Sequence, residues 1–285
     1  MGEDDLLARF EAHLVQLAMA PATITNYLAD LQNFAAWFDE TLLGGIPLVD
    51  AQSEHIHRYC RFLQQQGRSS STINRRLQAV RKFYDFSLSA GLSSHNPARE
   101  VDRFRGGEVA SSHTLSVDEV TRLLGTVNSG SDSLARRDRA IILVLLDTGI
   151  KVRELVDLRV EDLDLDVGSG YLWIGHNLES GGRCLVLGSE TCAALRAYLD
   201  LVVTAPGVDH VFVSRQGRVL SARTVQRLVS NRARSAGLDG VSAQTLRYTF
   251  AHDALEQWDI QKVARMLGLR DVASVRRYLG QEPGT

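Results

Sequence analysis

The sequence predicts a mainly helical protein of two domains, the second carrying a small antiparallel sheet. Three observations predict it. Apolar residues recur at helical spacing from residue 5 to residue 104. Residues 105–113, Arg-Gly-Gly-Glu-Val-Ala-Ser-Ser-His, are then small and polar and read as an interdomain linker. Helical spacing resumes beyond them, except at Tyr171–Ile174 and Cys184–Leu187, where short strand-like runs flank a Gly-rich turn. The expected boundaries are a helical domain over 1–104, the linker over 105–113, and a second domain over 114–285.

Each element has its own signal. Leu6, Leu7, Phe10, Leu14 and Leu17 form the first stripe. Pro21 opens a second helix, with Tyr27, Leu28, Leu31, Phe34 and Phe38 on one face. A third runs over about Glu54–Gln66 and stops at Gly67. Ser70 or Ser71 caps a fourth, Thr72–Ala90, with Ile73, Leu77, Val80 and Tyr84 inward, and Gly91 ends it. Asn96-Pro97 breaks the chain. Ser116 with Glu119 makes a capping-box pattern at the start of the second helical region. Further helices are expected at Ala135–Thr148, Val152–Leu158, Thr191–Val203, Ala222–Ala236, Leu246–Gln257, Ile260–Leu267 and Val272–Tyr278.

Composition excludes several classes. The 285 residues are 44% hydrophobic and 23% charged, as in ordinary globular chains. No stretch reaches the roughly 20 uncharged apolar residues of a membrane span. The acidic start, Met1-Gly-Glu-Asp-Asp, is unlike a signal peptide, and a cytoplasmic protein is expected. Cys60, Cys184 and Cys192 have no metal spacing and read as thiols in a reducing compartment. His55 and His57 lack a third ligand nearby, so no metal is expected. No phosphate-binding glycine loop and no Ser/His/Asp arrangement points to a small-molecule enzyme.

The net charge of −2, from 32 Lys+Arg against 34 Asp+Glu, conceals segregation. Between Arg58 and Lys82 stand seven basic residues, with one acid, Glu54, just before them. Thr72, Asn74, Arg75, Arg76 and Lys82 fall on the polar side of the fourth helix, which could enter a major groove. A second cluster is Arg215, Arg218, Arg223, Arg227, Arg232 and Arg234, while acids gather in Glu161–Asp166 and at the N-terminus. Thr72, Asn74, Arg75, Arg76, Lys82, Arg223 and Arg227 are the candidate DNA contacts, the alternative from composition alone being a solvated basic face.

Four segments together resemble the tyrosine recombinase (phage integrase) family, near its Xer-type members. Thr72-Ile-Asn-Arg-Arg-Leu-Gln-Ala-Val-Arg-Lys-Phe-Tyr followed by Asn96-Pro97 is similar to that family's core-binding domain. Asp147-Thr-Gly-Ile-Lys-Val-Arg-Glu-Leu resembles its first catalytic box, and Thr245-Leu-Arg-Tyr-Thr-Phe-Ala its second. Met266-Leu-Gly-Leu-Arg-Asp-Val-Ala-Ser-Val-Arg-Arg-Tyr resembles the segment ending in the nucleophile. The resemblance covers residues 5–280. It implies a four-helix SAM-like domain followed by an α-rich domain of the DNA breaking-rejoining type. It also implies a clamp around double-stranded DNA and cleavage through a 3′-phosphotyrosine, with no metal or nucleotide cofactor. The partners it implies are DNA and further copies of this chain or a related recombinase.

The chemistry explains the residue types the family uses. A tyrosine stores the bond energy covalently. Two Arg clamp the non-bridging oxygens as charge grows on the phosphate. A Lys on a hairpin protonates the leaving oxygen, and His residues assist. Carried over by position, Tyr278 falls at the nucleophile and Arg247 at the second clamp Arg. The other positions depart. Lys151 stands at the first clamp Arg, His176 at the hairpin Lys, Gln244 at a His, and Leu269 at a His or Trp; Tyr248 follows Arg247 where a His is usual. Lys151 keeps charge without the two-pronged grip. His176 can still act as an acid. Gln244 can donate a hydrogen bond but not shuttle a proton, and Leu269 can do neither. Losing one such donor costs about 100- to 1,000-fold, so the expectation is impaired cleavage. The alternative is a non-catalytic DNA-binding or regulatory protein on the same scaffold. Seven residues follow Tyr278, where the family carries a further helix that docks on a neighbouring protomer, which leaves the cyclic tetramer open.

Overall fold

The computed structural model describes residues 3–42, 45–104, 113–127, 132–165, 170–175, 182–202, 207, 209–276 and 278. The linker expected over 105–113 lies outside them but for His113, as does His176. The chain divides into two compact units, Met1–Glu108 and Val109–Thr285. Among the described residues no helix is long and apolar enough to cross a membrane, and no group of three or more His, Cys, Asp or Glu is placed to hold a metal ion.

The first unit is built from α1 (Glu3–Gln16), α2 (Pro21–Leu42), α3 (Ser53–Gln65) and α4 (Ser70–Ser89). Ser69, one residue before the expected caps, accepts from the Thr72 amide and starts α4. Phe10, Leu31, Phe34, Ile73, Leu77, Val80 and Phe83 close the core. Asn96 caps the 3-10 turn Pro97–Glu100 through the Ala98 amide and donates to the Arg81 carbonyl at 3.0 Å. The Asn-Pro pair thus folds the end of this unit back onto α4.

Among the described residues, one charged group of this unit is buried. Asp30 of α2 is 3% exposed and pairs with Arg75, while the Arg76 guanidinium stands 3.9 Å from it and donates to the Tyr59 hydroxyl. Removing one partner of a buried pair strands the other. Asp30→Ala is therefore expected to lower stability by about 2–3 kcal/mol, less than a fully buried pair because Arg75 is half-exposed. Urea unfolding of the full chain measures it; a loss below about 0.5 kcal/mol, typical of an exposed pair, rules out the organising role.

The second unit contains α5 (Val117–Gly125), α6 (Ser133–Thr148), α7 (Val152–Asp157), the strands β1 (Leu163–Asp164), β2 (Gly170–Ile174) and β3 (Arg183–Leu187), then α8 (Ser189–Leu199), α9 (Ala222–Ser235), α10 (Ala243–Gln257), α11 (Ile260–Met266) and α12 (Ala273–Arg276). The expected hairpin is present as β2–β3, but the sheet has a third strand, β1, which pairs antiparallel with β2. Strand alternation buries Leu172, Leu185 and Leu187 against α6 and α8 and leaves Tyr171, Trp173 and Val186 outward. A separate apolar cluster joins α10, α11 and α12 through Phe250, Val263, Leu267 and Val275, with Leu269 and Tyr278 packed against it.

α6 ends at Gly149, whose φ of +59° is left-handed. A Cβ there would lie 2.2 Å from the Phe250 ring. Gly149→Ala combines left-handed strain with overpacking and is expected to lower stability by about 2–4 kcal/mol. Calorimetry of the full chain tests this; an unchanged melting profile contradicts it.

Candidate active site

The site assembles where three turns meet. Gly149 turns the chain from α6 toward α7, and Lys151 follows at the N-cap of α7. Ser242, through the Thr245 amide, starts α10 three residues before the expected Leu246 and carries Arg247 one turn into the helix. α11 ends in a Schellman turn, with Gly268 at φ +60° and the Leu269 amide donating to the Ala264 carbonyl at 2.9 Å.

Arg247 is 3% exposed. Its Nε donates to the Tyr278 hydroxyl at 2.9 Å, one Nη to the Gly149 carbonyl, and the other to the Leu267 carbonyl at 2.7 Å. Among the described residues no carboxylate lies within ion-pair distance of it, so its full charge faces only neutral oxygens. The guanidinium also stands 5.6 Å from the Tyr278 ring centroid, and Tyr248 meets that ring edge-on at 4.8 Å. The tyrosine is thus fixed from two sides, its hydroxyl at the cation.

Lys151 approaches the same turn. Its Nζ lies 3.4 Å from the Gly268 carbonyl and 3.7 Å from Glu154, and its side chain is half-exposed. Arg183, on β3, donates through Nε to the Met266 carbonyl at 2.7 Å and through both Nη to Glu154. Three consecutive carbonyls at the end of α11, those of Met266, Leu267 and Gly268, therefore each receive a basic side chain from a different element. These are the acceptors a helix end leaves unpaired, at the negative end of its dipole. Burial alone would push the Glu154 carboxyl up, but the Arg183 hydrogen bonds, the Lys151 amide and both neighbouring charges outweigh it and hold it below the ordinary carboxylate value.

The remaining predicted residues are placed differently. Gln244 is exposed on the first turn of α10, and Leu269 is half-buried against the apolar cluster. Neither Arg183 nor Glu154 is among the site residues expected from the sequence. The spacing of Glu154 three residues past the α7 N-cap is a capping-box signal that could have found it. Of the candidate DNA contacts, Asn74 is turned to the Phe104 backbone, donating at 2.9 Å and accepting at 2.8 Å, and the Arg76 side chain is 16% exposed and committed to Tyr59 and Asp30. These two face into the fold, a correction to their expected outward placement; helix periodicity does not distinguish a face toward solvent from one toward a neighbouring helix. Arg75, Arg223 and Arg227 are exposed, and Thr72 and Lys82 half-buried.

The model of the phage integrase family matches residues 113–283, and that of the phage integrase N-terminal SAM-like domain residues 7–91. The chain is 30% identical over 275 residues to a protein named tyrosine recombinase XerC from Alcanivorax borkumensis, covering 94% of this chain and 87% of the relative. It is 33% identical over 263 residues to the XerC of Pseudomonas syringae pv. tomato, covering 91% and 85%. Among solved structures, a lambda integrase dimer bound to a COC' core site superposes with a TM-score of 0.75 at 17% identity, covering all of this chain and 80% of that one. The XerH site-specific recombinase bound to palindromic difH substrate gives 0.74 at 19%, covering 90% and 76%. At those identities the structural likeness is one of fold.

Proposed function

We propose, from the premise that this chain belongs to the phage integrase family, that it binds duplex DNA as a tyrosine recombinase whose own strand cleavage is strongly impaired. The observation that carries the reading is the contact between a buried, carboxylate-free Arg247 and the Tyr278 hydroxyl at 2.9 Å. A cation held only by neutral oxygens binds an anion in preference to them, because a phosphate oxygen carries more charge than a carbonyl or hydroxyl oxygen. Arg247 and Lys151, which reach the adjacent Leu267 and Gly268 carbonyls, are the two cations offered to such an anion. The Tyr278 oxygen attacks phosphorus as the bond to the 5′-oxygen breaks. The electron pair leaves on that oxygen, which takes a proton, and a 3′-phosphotyrosine remains. His176 is the acid in this scheme. Gln244 cannot accept the phenolic proton near neutrality, so that proton passes to water.

Impairment follows from the same residues. Lys151 offers a point charge where a planar fork would grip two oxygens, and Leu269 places carbon where a donor is expected. Residues that act as a unit do not lose activity additively. The second reading, a partner or regulator on the recombinase scaffold that does not cleave, is favoured by Leu269, whose side chain packs against the apolar cluster of α10, α11 and α12.

DNA contact is assigned to the exposed cations, Arg75 on α4 and Arg223 and Arg227 on α9, with Lys82 and Thr72 on α4 as further contacts; a cytoplasmic location accords with this reading. Copies of this chain or a related recombinase would share the site. Arg223→Ala with Arg227→Ala is expected to weaken binding to all duplexes and lower the salt slope by about two. A mobility-shift series across salt checks it, and an unchanged slope removes these two from the interface.

The deciding experiment is a suicide substrate carrying the chain's own target site, found by footprinting. A weak covalent adduct lost in Tyr278→Phe supports the recombinase reading. No adduct, alone or with a related recombinase, leaves the non-cleaving reading.

A further inference from the structure

We infer that Arg183 is a positioning residue that keeps Lys151 available to phosphate and fixes the turn on which Arg247 rests; this builds on the reading of Arg247, Lys151 and Tyr278 as the DNA-cleaving group. Three observations carry it. Arg183 is nearly buried, with 11% of its side chain exposed, and its three nitrogens all donate: Nε to the Met266 carbonyl at 2.7 Å, the two Nη to Glu154 at 3.2 and 2.8 Å. It is therefore committed inward and is not itself a phosphate ligand. Glu154 is the one carboxylate paired with Lys151 among the described residues, 3.7 Å from its Nζ, and it also accepts from the Lys151 amide at 2.8 Å. Finally, Gly268 leaves room for Arg183, since a Cβ at 268 would stand 2.7 Å from an Arg183 nitrogen.

The electrostatics give the direction. A carboxylate beside two cations shares its charge between them, and a bidentate guanidinium takes the larger share. With Arg183 in place, Glu154 is satisfied and the Lys151 ammonium stays at the longer distance, half-exposed and free to meet a phosphate. Without Arg183, Glu154 turns wholly to Lys151 and neutralises the point charge that replaces the family's arginine. The Met266 carbonyl loses its donor at the same time, and the next carbonyl along, Leu267, is the one that holds Arg247. Arg183 therefore acts on both phosphate-facing cations through atoms it touches, one by competition and one through the backbone.

The proposal is tested first without DNA. In uniformly 15N-labelled full-length protein, the Arg247 Nε–H, buried against Tyr278, exchanges slowly with solvent. In Arg183→Gln its exchange is expected to quicken by at least about 10-fold while amides in the middle of α6 change by less than about two-fold. Unchanged Arg247 exchange, or equal acceleration in α6, overturns the positioning role. The second arm uses DNA. Arg183→Gln is expected to leave duplex affinity within about two-fold and to lower single-turnover adduct formation by about 10-fold. Adding Glu154→Gln to it restores part of that loss, about three-fold, because no carboxylate is left to capture Lys151. A double variant as slow as, or slower than, the single one overturns the competition. Absence of any adduct from the unmodified chain defeats the cleavage reading, and the exchange measurement then decides the proposal on its own.

Discussion

Lys151→Arg, Gln244→His and Leu269→His together are expected to raise single-turnover formation of the Tyr278–DNA adduct by at least about 100-fold over the unmodified chain. Each change returns a different element. Arginine at 151 restores two parallel donors to a phosphate, and the half-exposed Lys151 side chain leaves space for the longer group. Histidine at 244 sits on the exposed first turn of α10, so it enters without desolvation and can take the phenolic proton. Histidine at 269 replaces a half-buried leucine and gives up some contact with the cluster around Leu267, at about 1 kcal/mol. The singles are expected to give less than the triple divided evenly, since a phosphate gripped by one repaired group is still misplaced for the others. The assay is adduct accumulation on the suicide substrate, with Tyr278→Phe in the triple background as the control. A triple variant no faster than the native chain shows that these positions do not limit cleavage.

The helices were legible because their apolar stripes are regular. Phe10, Leu31, Phe34, Ile73 and Leu77 all occupy the core their spacing predicts. The helices expected over Ala135–Thr148 and Ile260–Leu267 end one residue before Gly149 and Gly268, at the two turns that build the site. What was not legible is polar and long-range. Asp30 stands between Ala29 and Leu31 on an apolar helix, and only the fold shows that Arg75 and Arg76 of another helix come to it. The polar side of α4 is therefore partly an interior. The two-residue strand β1 is too short to carry a period. Arg183 was absorbed into the turn before its strand, because nothing local says that its partners lie 29 and 83 residues away, at Glu154 and Met266. The nucleophile and its arginine were legible through resemblance alone; that their side chains meet is a fact of the fold.

Arg247→Met is expected to cost the second unit about 2–4 kcal/mol and to lower adduct formation by at least about 1,000-fold. The two losses have separate origins. Methionine fills much of the volume but leaves the Gly149 and Leu267 carbonyls buried without donors, each worth about 1–3 kcal/mol. It also removes a full buried charge, whose uncompensated desolvation offsets part of that loss. Arg247→Lys separates the effects. A lysine can reach one of the three acceptors and keeps the charge, so it is expected to recover some phosphate attraction while leaving at least one carbonyl and the Tyr278 hydroxyl unpartnered. Urea unfolding and the suicide-substrate assay read the two quantities independently. Full stability in Arg247→Met contradicts the bridging role between α6 and α11, and undiminished cleavage contradicts the clamp. Loss of stability with cleavage retained would make Arg247 a structural tie alone and move the phosphate grip to Lys151. The buried position argues against that outcome: a cation sealed among carbonyls costs desolvation, and a fold that needed only a tie could use a neutral donor at less cost.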